Sequence, residues 1–380
     1  MHDFGGTDGL KGTLALAAEI PFAGIERFGG APTSVMGSGF TPEGIDQNPI
    51  FYELLLSNAF RALPLGNVSD WAVQRAHARY GLVANATSPA SQAVSKSWEM
   101  LVASNYNSFG TGVWDETGVA HLPASSSQFG PDRRTPSPSL CGTWGAWGAL
   151  LSASQGAEVA KPLVLPFRYD LINTGREVLA QLSCPLSQDF ADAFNDPVIS
   201  APRVTATGEA YLDLLDDLDE LVGTESAFLL GPWLQAARDL AGVAGEEDCA
   251  ITDGSQPLPC ADFYEWNARA QLTTWKPCLT EACDLDRNSP RDYASKHWGG
   301  LIKEYYRARA EQVMWQALED AGRALNQTAR ASREGKLAFD FQRNFGNGFP
   351  LSPVGDAIEI SSLMRAKYAP YFASCGSWAP

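Results

Sequence analysis

The glutamate at position 43 is the residue whose surroundings best suit catalysis. It follows a short apolar stretch at residues 34–40 that contains two glycines and has the character of a strand. A side chain just after such a strand points into the mouth of a β/α barrel, where carboxylates serve as acids, bases or nucleophiles. The same position would also suit a glutamate in a surface turn. The pattern around Glu43 therefore leaves a catalytic and a purely structural interpretation open.

Other common catalytic and metal-binding motifs are absent from the sequence. It contains no Walker loop and no G-x-G-x-x-G, G-x-S-x-G or H-E-x-x-H pattern. The four histidines are scattered and no two cysteines have C-x-x-C spacing, which disfavours a zinc site. We therefore expect carboxylate chemistry between aromatic side chains, with no metal and no cofactor.

The elements that would position Glu43 alternate between helix and strand. Residues 10–20 favour a helix that Pro21 ends, residues 34–40 favour a strand, and residues 48–63 have the apolar period of a helix. This order is typical of one or two units of a β/α protein. The sequence thus predicts that residues 1–64 form the last part of a (β/α)8 barrel.

From residue 65 onward the pattern is helical, and residues 65–380 are predicted to form a large all-α domain. We expect helices at residues 69–80, 169–182, 211–222, 226–241, 262–275, 291–331 and 356–372. The acidic residues of the helix at 211–222 are predicted to form a solvated face. The predicted fold class is therefore mainly α.

The composition limits the partners of the chain. The 380 residues carry a formal net charge of −16, which disfavours nucleic acids, anionic membranes and strongly sulfated substrates. No apolar run is long enough for a membrane span, and the first residues do not resemble a signal peptide. The Asn-x-Ser/Thr sequons at Asn67, Asn85 and Asn326 favour a secretory or lysosome-like compartment.

The seven cysteines are unevenly spaced. Cys249 and Cys260 bracket an acidic loop that is rich in Gly and Pro, and Cys278 and Cys283 bracket a four-residue turn. Local disulfides at both pairs and free thiols are the two alternatives, and the sequons favour disulfides. The remaining cysteines, Cys141, Cys184 and Cys375, are expected to be unpaired or to pair outside this chain.

Five segments of the chain resemble one known family, in the same order along the chain. They are HDFGG at residues 2–6, GSGFTPEGIDQN at 37–48, FLLGPWL at 228–234, DFYEWNAR with QLTTW at 262–275, and DYASK at 292–296. Together they are similar to the α-N-acetylglucosaminidases of glycoside hydrolase family 89. The matches span almost the whole chain, so the resemblance is specific.

The resemblance implies a retaining glycosidase that releases terminal, non-reducing, α-linked N-acetylglucosamine. It assigns Glu43 as the catalytic nucleophile and places the aromatic residues Phe4, Trp275 and Tyr293 in the sugar pocket. Two further pairs match family motifs in supporting roles: Asn48 with Tyr52, and Asn267 with Arg269. Packing is an equal alternative for Asn48 and Tyr52. The segment of residues 276–290, between Trp275 and the Asp292-Tyr293 motif, is longer than the resemblance leads us to expect. We predict that it alters which aglycone the pocket accepts.

The resemblance also implies that the general acid has no counterpart among these residues. Retaining glycosidases need two carboxylates about 5–5.5 Å apart. We therefore expect residues 1–380 alone to be inactive, to expose apolar surface near Val35, Met36 and Phe51, and to associate as a homo-oligomer. The alternative is a non-catalytic helical module that binds carbohydrate or supports a partner.

Overall fold

Helices form most of the chain that the computed structural model describes. The described residues are 9–28, 39, 48–82, 87–108, 119–120, 138–156, 165–196, 198–244, 248–249, 258–281, 283, 292–320, 327–346 and 348–376. Within them, strands are confined to two antiparallel ladders of two residues per strand. The mainly α fold class that the sequence predicts is therefore confirmed.

The described residues form twelve α-helices and four short strands. The elements are β1 (Gly12–Thr13), α1 (Leu14–Phe28), α2 (Pro49–Ser57), α3 (Val68–Tyr80), α4 (Pro89–Ala103), β2 (Asn107–Ser108), α5 (Pro138–Ala153), α6 (Leu165–Asn195), α7 (Ala201–Val222), α8 (Leu230–Ala244), β3 (Asp248–Cys249), β4 (Leu258–Pro259), α9 (Cys260–Leu272), α10 (Ala308–Glu319), α11 (Gln327–Arg343) and α12 (Ala357–Tyr368). The described residues also contain short 3-10 helices at Asn58–Phe60, Ser226–Phe228 and Ala369–Cys375, and a π-helix at Ile302–Arg307.

The chain divides into two compact units. The first contains residues 1–115, 136–178 and 357–380, and the second contains residues 116–135 and 179–356. The predicted boundary at residues 64 and 65 stays a prediction.

In the first unit, side chains from distant parts of the sequence fix the segment of residues 9–11. Asn48 donates to the carbonyl of Gly9 and accepts from the amide of Lys11, at 3.2 and 3.1 Å. The amide of Leu10 donates to the carboxylate of Glu177 at 3.0 Å. Backbone groups that are buried outside regular structure need such partners, so these side chains stabilise an extended segment inside the unit.

A network of polar and aromatic side chains joins α3, α4 and α6 in the first unit. The buried carboxylate of Asp170 accepts hydrogen bonds from Tyr80 at 2.8 Å and from Arg79 at 3.0 Å. The indole of Trp98 donates to the hydroxyl of Tyr80 at 3.0 Å, and the ring of Phe167 packs edge-on against Tyr80 at 5.2 Å. Burial raises the pKa of Asp170, although the nearby charges of Arg79 and Arg75 act to lower it.

In the second unit, α7 packs against α10 and the π-helix through an apolar face. Leu214, Leu215 and Leu218 of that face are fully buried. A side chain at Gly208 would clash with Met314 and Phe190, so this glycine permits a close approach.

Helix α1 continues through Pro21, and the prediction that this proline ends the helix is wrong. A proline has no amide hydrogen, so the carbonyl four residues earlier, that of Ala17, loses its helical partner. The side chain of Asn58 donates to that carbonyl at 2.8 Å. A hydrogen bond from outside the helix therefore replaces the missing one.

Two further predictions about helices and burial need correction. The predicted helix at 291–331 is interrupted: residues 292–294 form a turn, and the described helical part resumes at residue 301. Phe51 is only 5% exposed, so it does not contribute the apolar surface that was expected there. Val35 and Met36 lie outside the described residues.

The acidic face of α7 is only partly solvated. Asp219 accepts hydrogen bonds from the amides of Gly300 and Lys303, at 2.7 and 3.0 Å. Asp216 forms an ion pair with Arg307 at 3.0 Å. The predicted solvated face is therefore wrong for Asp219, whereas Asp216 keeps a partly exposed side chain. Both residues connect α7 to the helical segment that begins at residue 301.

Three disulfides connect six of the seven cysteines. The predicted local disulfides Cys249–Cys260 and Cys278–Cys283 are confirmed. Cys141 and Cys375 form a third disulfide within the first unit, across 234 residues of sequence, so the expectation that they do not pair within this chain is wrong. Cys184 is buried and carries a thiol.

No helix in the described part of the chain is long and apolar enough to cross a membrane. Groups of three or more potential metal ligands were also not found among the described residues.

Candidate active site

Two of the residues assigned to the sugar pocket lie together in the second unit. The rings of Trp275 and Tyr293 meet edge to face, with centroids 4.9 Å apart and planes at 61°. Trp275 is 46% exposed, and Tyr293 is half-buried. Glu43 and Phe4 lie outside the described residues.

The backbone around this aromatic pair is strained. Trp275, Asp292 and Ser295 have φ angles of 62°, 57° and 45°, and they are the non-glycine residues with left-handed backbone in the described chain. This conformation costs roughly 1–2 kcal/mol for a residue with a side chain. Such strain persists only where surrounding contacts enforce it, and it clusters at functional sites.

The end of helix α9 creates the turn that carries Trp275. The amide of Trp275 donates to the carbonyl of Ala270 at 2.8 Å, which closes the last helical turn. The carbonyl of Thr273 accepts a hydrogen bond from the amide of Asp292 at 2.6 Å. Tyr293 directly follows Asp292 in sequence. The bond between Asp292 and Thr273 therefore brings Tyr293 next to Trp275.

A buried glutamine of helix α11 holds the turn from inside. The side-chain amide of Gln342 donates to the hydroxyls of Thr273 and Thr274, at 3.0 and 2.7 Å. Its carbonyl oxygen accepts from the amide of Cys278 at 2.7 Å and from the indole of Trp266 at 3.2 Å. The disulfide Cys278–Cys283 then closes the following loop.

A buried ion pair holds the other strained segment. Both carboxylate oxygens of Asp292 accept hydrogen bonds from Arg309, at 3.0 and 2.8 Å. Arg309 also lies over the ring of Tyr305 at 4.9 Å and donates to the carbonyl of Ala120. Burial alone would lower the pKa of Arg309, but the Asp292 carboxylate outweighs burial and raises it.

The supporting residues of α9 occupy opposite sides of that helix. Arg269 is buried, pairs with Glu265 at 2.8 Å and donates to the carbonyl of Phe341 at 3.1 Å. Burial lowers the pKa of Arg269. Asn267 is exposed. Arg269 therefore supports the packing of the helix that ends at the Trp275 turn.

Asn48 and Tyr52 lie in the first unit. The side chain of Asn48 connects the start of α2 to the backbone of Gly9 and Lys11, as described above. Tyr52 is half-buried, with its ring 5.9 Å from that of Phe51 in an edge-to-face contact. Asn48 therefore fixes residues 9–11, and the supporting roles of Asn48 and Tyr52 stay predictions.

The sequence alone did not identify Gln342 or Arg309 as part of this site. Gln342 lies 67 residues after Trp275 in a helix with no distinctive motif, and Arg309 lies in a helical stretch rich in charge. The Asp292-Tyr293 motif was recognised, but the arginine that pairs with Asp292 could not be identified from spacing.

What the site can do follows from its shape: a half-exposed indole beside a tyrosine can stack on the C–H face of a sugar ring.

Two family models match the chain. One, described as the alpha-N-acetylglucosaminidase (NAGLU) tim-barrel domain, matches residues 1–62. The other, described as the alpha-N-acetylglucosaminidase (NAGLU) C-terminal domain, matches residues 71–367.

Known proteins of related sequence and structure are longer than this chain. Human alpha-N-acetylglucosaminidase is 28% identical, over 100% of this chain and 45% of the human protein. A family 89 glycoside hydrolase from Clostridium perfringens, solved in complex with PUGNAc, is 22% identical with a TM-score of 0.74, over 97% of this chain and 38% of that one. CpGH89 from the same organism, in complex with its substrate GlcNAc-alpha-1,4-galactose, has a TM-score of 0.74 and 21% identity over 98% and 39%. The chain spans less than half the length of each of these relatives.

Proposed function

The chain belongs to the alpha-N-acetylglucosaminidase family, and on that premise we propose that it is part of a retaining glycoside hydrolase that releases terminal, non-reducing, α-linked N-acetylglucosamine. The observation that carries this proposal is the aromatic wall formed by Trp275 and Tyr293, held in strained backbone by buried contacts. A half-exposed aromatic pair, with Trp275 in strained backbone and Tyr293 between two strained residues of its own segment, suits sugar binding better than it suits a core.

In the proposed reaction the carboxylate of Glu43 attacks the anomeric carbon. The glycosidic C–O bond breaks, and the leaving oxygen takes a proton from a general acid. Water then attacks the covalent glycosyl intermediate, transfers a proton to the same acid group and releases N-acetylglucosamine with the α configuration retained. Glu43 must be ionised for the first step, and the acid must be protonated.

The proposed sugar pocket combines Phe4 with Trp275 and Tyr293. Asn48 and Tyr52 support the segment of Glu43, and Asn267 and Arg269 support the end of α9. No metal and no cofactor take part in this scheme. The carbohydrate is the only partner we propose, and a strongly sulfated polymer is disfavoured by the net charge of −16.

We further propose that residues 1–64 belong to the catalytic barrel and residues 65–380 to the helical domain. By the resemblance, none of the carboxylates of these 380 residues corresponds to the general acid, so we propose that residues 1–380 alone show no turnover. Loss of general acid catalysis slows such a reaction by about 10²–10⁴-fold.

A secretory or lysosome-like compartment is proposed on the strength of the three disulfides. Disulfides form and persist in oxidising compartments and are rare in the cytosol. The sequon at Asn67 supports the same assignment, because Asn67 is exposed.

The stereochemistry of the product tests the proposed function. The sample is the native protein, meaning residues 1–380 with all further sequence that its gene encodes, and the substrate is an aryl α-N-acetylglucosaminide. Proton NMR of the first turnovers should show α-N-acetylglucosamine before mutarotation. Initial appearance of the β anomer would contradict a retaining mechanism. Binding of the sugar without hydrolysis would contradict the proposal and favour the non-catalytic module.

A further inference from the structure

The left-handed backbone of Trp275 needs contacts that enforce it. A glycine would adopt φ near 62° without strain, but this position carries the largest side chain there is. The closing bond from the amide of Trp275 to Ala270 is common at helix ends and does not by itself require a tryptophan. The contacts that hold this turn must therefore come from elsewhere in the second unit.

The side chain of Gln342 supplies these contacts and uses its whole bonding capacity for them. A glutamine amide has two N–H donors and an oxygen with two lone pairs. The two donors go to the hydroxyls of Thr273 and Thr274, with a longer contact to the carbonyl of Lys276 at 3.5 Å, and both lone pairs accept, from Cys278 and Trp266. The residue is fully buried, at 0% exposure. Every hydrogen bond of this side chain therefore ends on the turn at residues 273–278 or on the helix leading to it.

The hydroxyl groups that Gln342 contacts are already oriented by other bonds. Thr273 donates its hydroxyl hydrogen to the carbonyl of Arg269 at 2.9 Å, and Thr274 donates to the carbonyl of Lys276. Each hydroxyl oxygen is thus left as an acceptor that faces the amide of Gln342. A glutamate or an apolar residue at position 342 could not supply the two N–H donors.

The same glutamine also affects Tyr293. The carbonyl of Thr273 accepts from the amide of Asp292, so a shift of the Gln342–Thr273 contact moves the start of the segment that carries Tyr293. An aromatic wall binds a sugar well only when both rings are held within about 0.5 Å of the productive geometry.

We propose that Gln342 is the positioning residue of the sugar-binding wall: its side-chain amide fixes the turn that presents Trp275 and, through Thr273, Tyr293. The inference rests on the proposed function, because a bound N-acetylglucosaminide is the ligand of this wall. Gln342 touches neither substrate nor reacting atoms. Its loss weakens the binding of ground state and transition state alike, which raises KM and leaves kcat nearly unchanged.

The test compares three variants of the native protein. Gln342→Met keeps the length of the side chain but removes all of its hydrogen bonds. Thr274→Val keeps the shape of Thr274 and removes its hydrogen bonds to Gln342 and to the carbonyl of Lys276, so it serves if Gln342→Met does not fold. Gln316→Met is the matched control, since Gln316 is a buried glutamine of α10 whose side chain donates to Asp320 rather than to the turn. The measurements are the Kd for PUGNAc by calorimetry and the KM and kcat for an aryl α-N-acetylglucosaminide.

We expect Gln342→Met to raise KM and Kd about tenfold, with kcat within about threefold of the native value. Thr274→Val should raise both constants about threefold, and Gln316→Met should leave them within about twofold. Native Kd and KM in folded Gln342→Met and Thr274→Val would overturn the inference, as would an equal effect of Gln316→Met. If the native protein itself neither binds PUGNAc nor hydrolyses the substrate, the proposed function fails and the inference fails with it.

Discussion

Arg309 donates hydrogen bonds from one nitrogen, Nη1, to both carboxylate oxygens of Asp292, and neither side chain is exposed to solvent. Removing one member of a buried ion pair leaves an uncompensated charge, which costs about 3–5 kcal/mol. We therefore expect Arg309→Met to lower the free energy of unfolding by that amount in urea denaturation.

The control for this prediction is Arg203→Met, which removes the exposed ion pair with Asp196. Exposed pairs contribute about 1 kcal/mol or less. If Arg309→Met costs no more than Arg203→Met, the Asp292–Arg309 pair does not stabilise this segment.

The backbone strain at Trp275 can be measured directly. Glycine tolerates left-handed backbone and alanine does not, so Trp275→Gly should be more stable than Trp275→Ala by about 1 kcal/mol. Trp315 in the middle of α10 is a matched control, since it is 54% exposed and helical. There the order should reverse, with glycine less stable than alanine by about 1 kcal/mol. The same order at both positions in denaturation experiments would show that Trp275 is not strained.

The disulfides should differ in their contribution to stability. Cross-linking a longer loop removes more entropy from the unfolded chain. Cys141–Cys375 spans 234 residues and Cys278–Cys283 spans five. We expect replacement of the first pair by serines to cost about 5 kcal/mol and of the second about 2 kcal/mol, measured by chemical denaturation. A larger loss from the short loop would contradict this entropic account.

Asp219 should make the protein more stable in acid. Burial raises the pKa of Asp219 to about 6 from its ordinary value of 3.8, although hydrogen bonds from Gly300 and Lys303 oppose the shift. The native state therefore binds the proton of Asp219 more tightly than the unfolded state does. The stability that this protonated carboxyl contributes is lost as the pH rises from about 4 to about 6.

The matched measurement compares native protein and Asp219→Asn in urea at pH 4 and pH 7. Asparagine does not titrate, so the variant should lack a pH-dependent loss of about 2 kcal/mol that the native protein shows between these two pH values. Asp213→Asn on the exposed side of α7 should behave as the native protein does. An identical pH dependence in all three would rule out Asp219 as the cause.

Much of the fold is local in origin and could be predicted from sequence. The leucines of α7 recur with helical period, and the two short disulfides join cysteines that are close in sequence. What could not be predicted depends on contacts between distant residues. Pro21 is tolerated in α1 because Asn58 supplies a hydrogen bond from 41 residues away, and Cys141–Cys375 pairs across most of the chain.

The candidate site shows the same division. Trp275 and Tyr293 were identified through motifs, because their neighbours in sequence are distinctive. Gln342 was missed because its role arises from hydrogen bonds to other segments, and nothing in the sequence around residue 342 marks it. The assignments of Glu43 and Phe4 stay predictions.

The most direct test of the account is the turnover of Glu43→Gln in the native protein with an aryl α-N-acetylglucosaminide. Glutamine keeps the size of the side chain but cannot attack the anomeric carbon, so kcat should fall at least about 10³-fold while the thermal unfolding midpoint changes little. The control is Glu19→Gln, at an exposed position of α1, which should retain native activity. Near-native turnover by Glu43→Gln would contradict the assignment of Glu43 as nucleophile and the proposed mechanism with it.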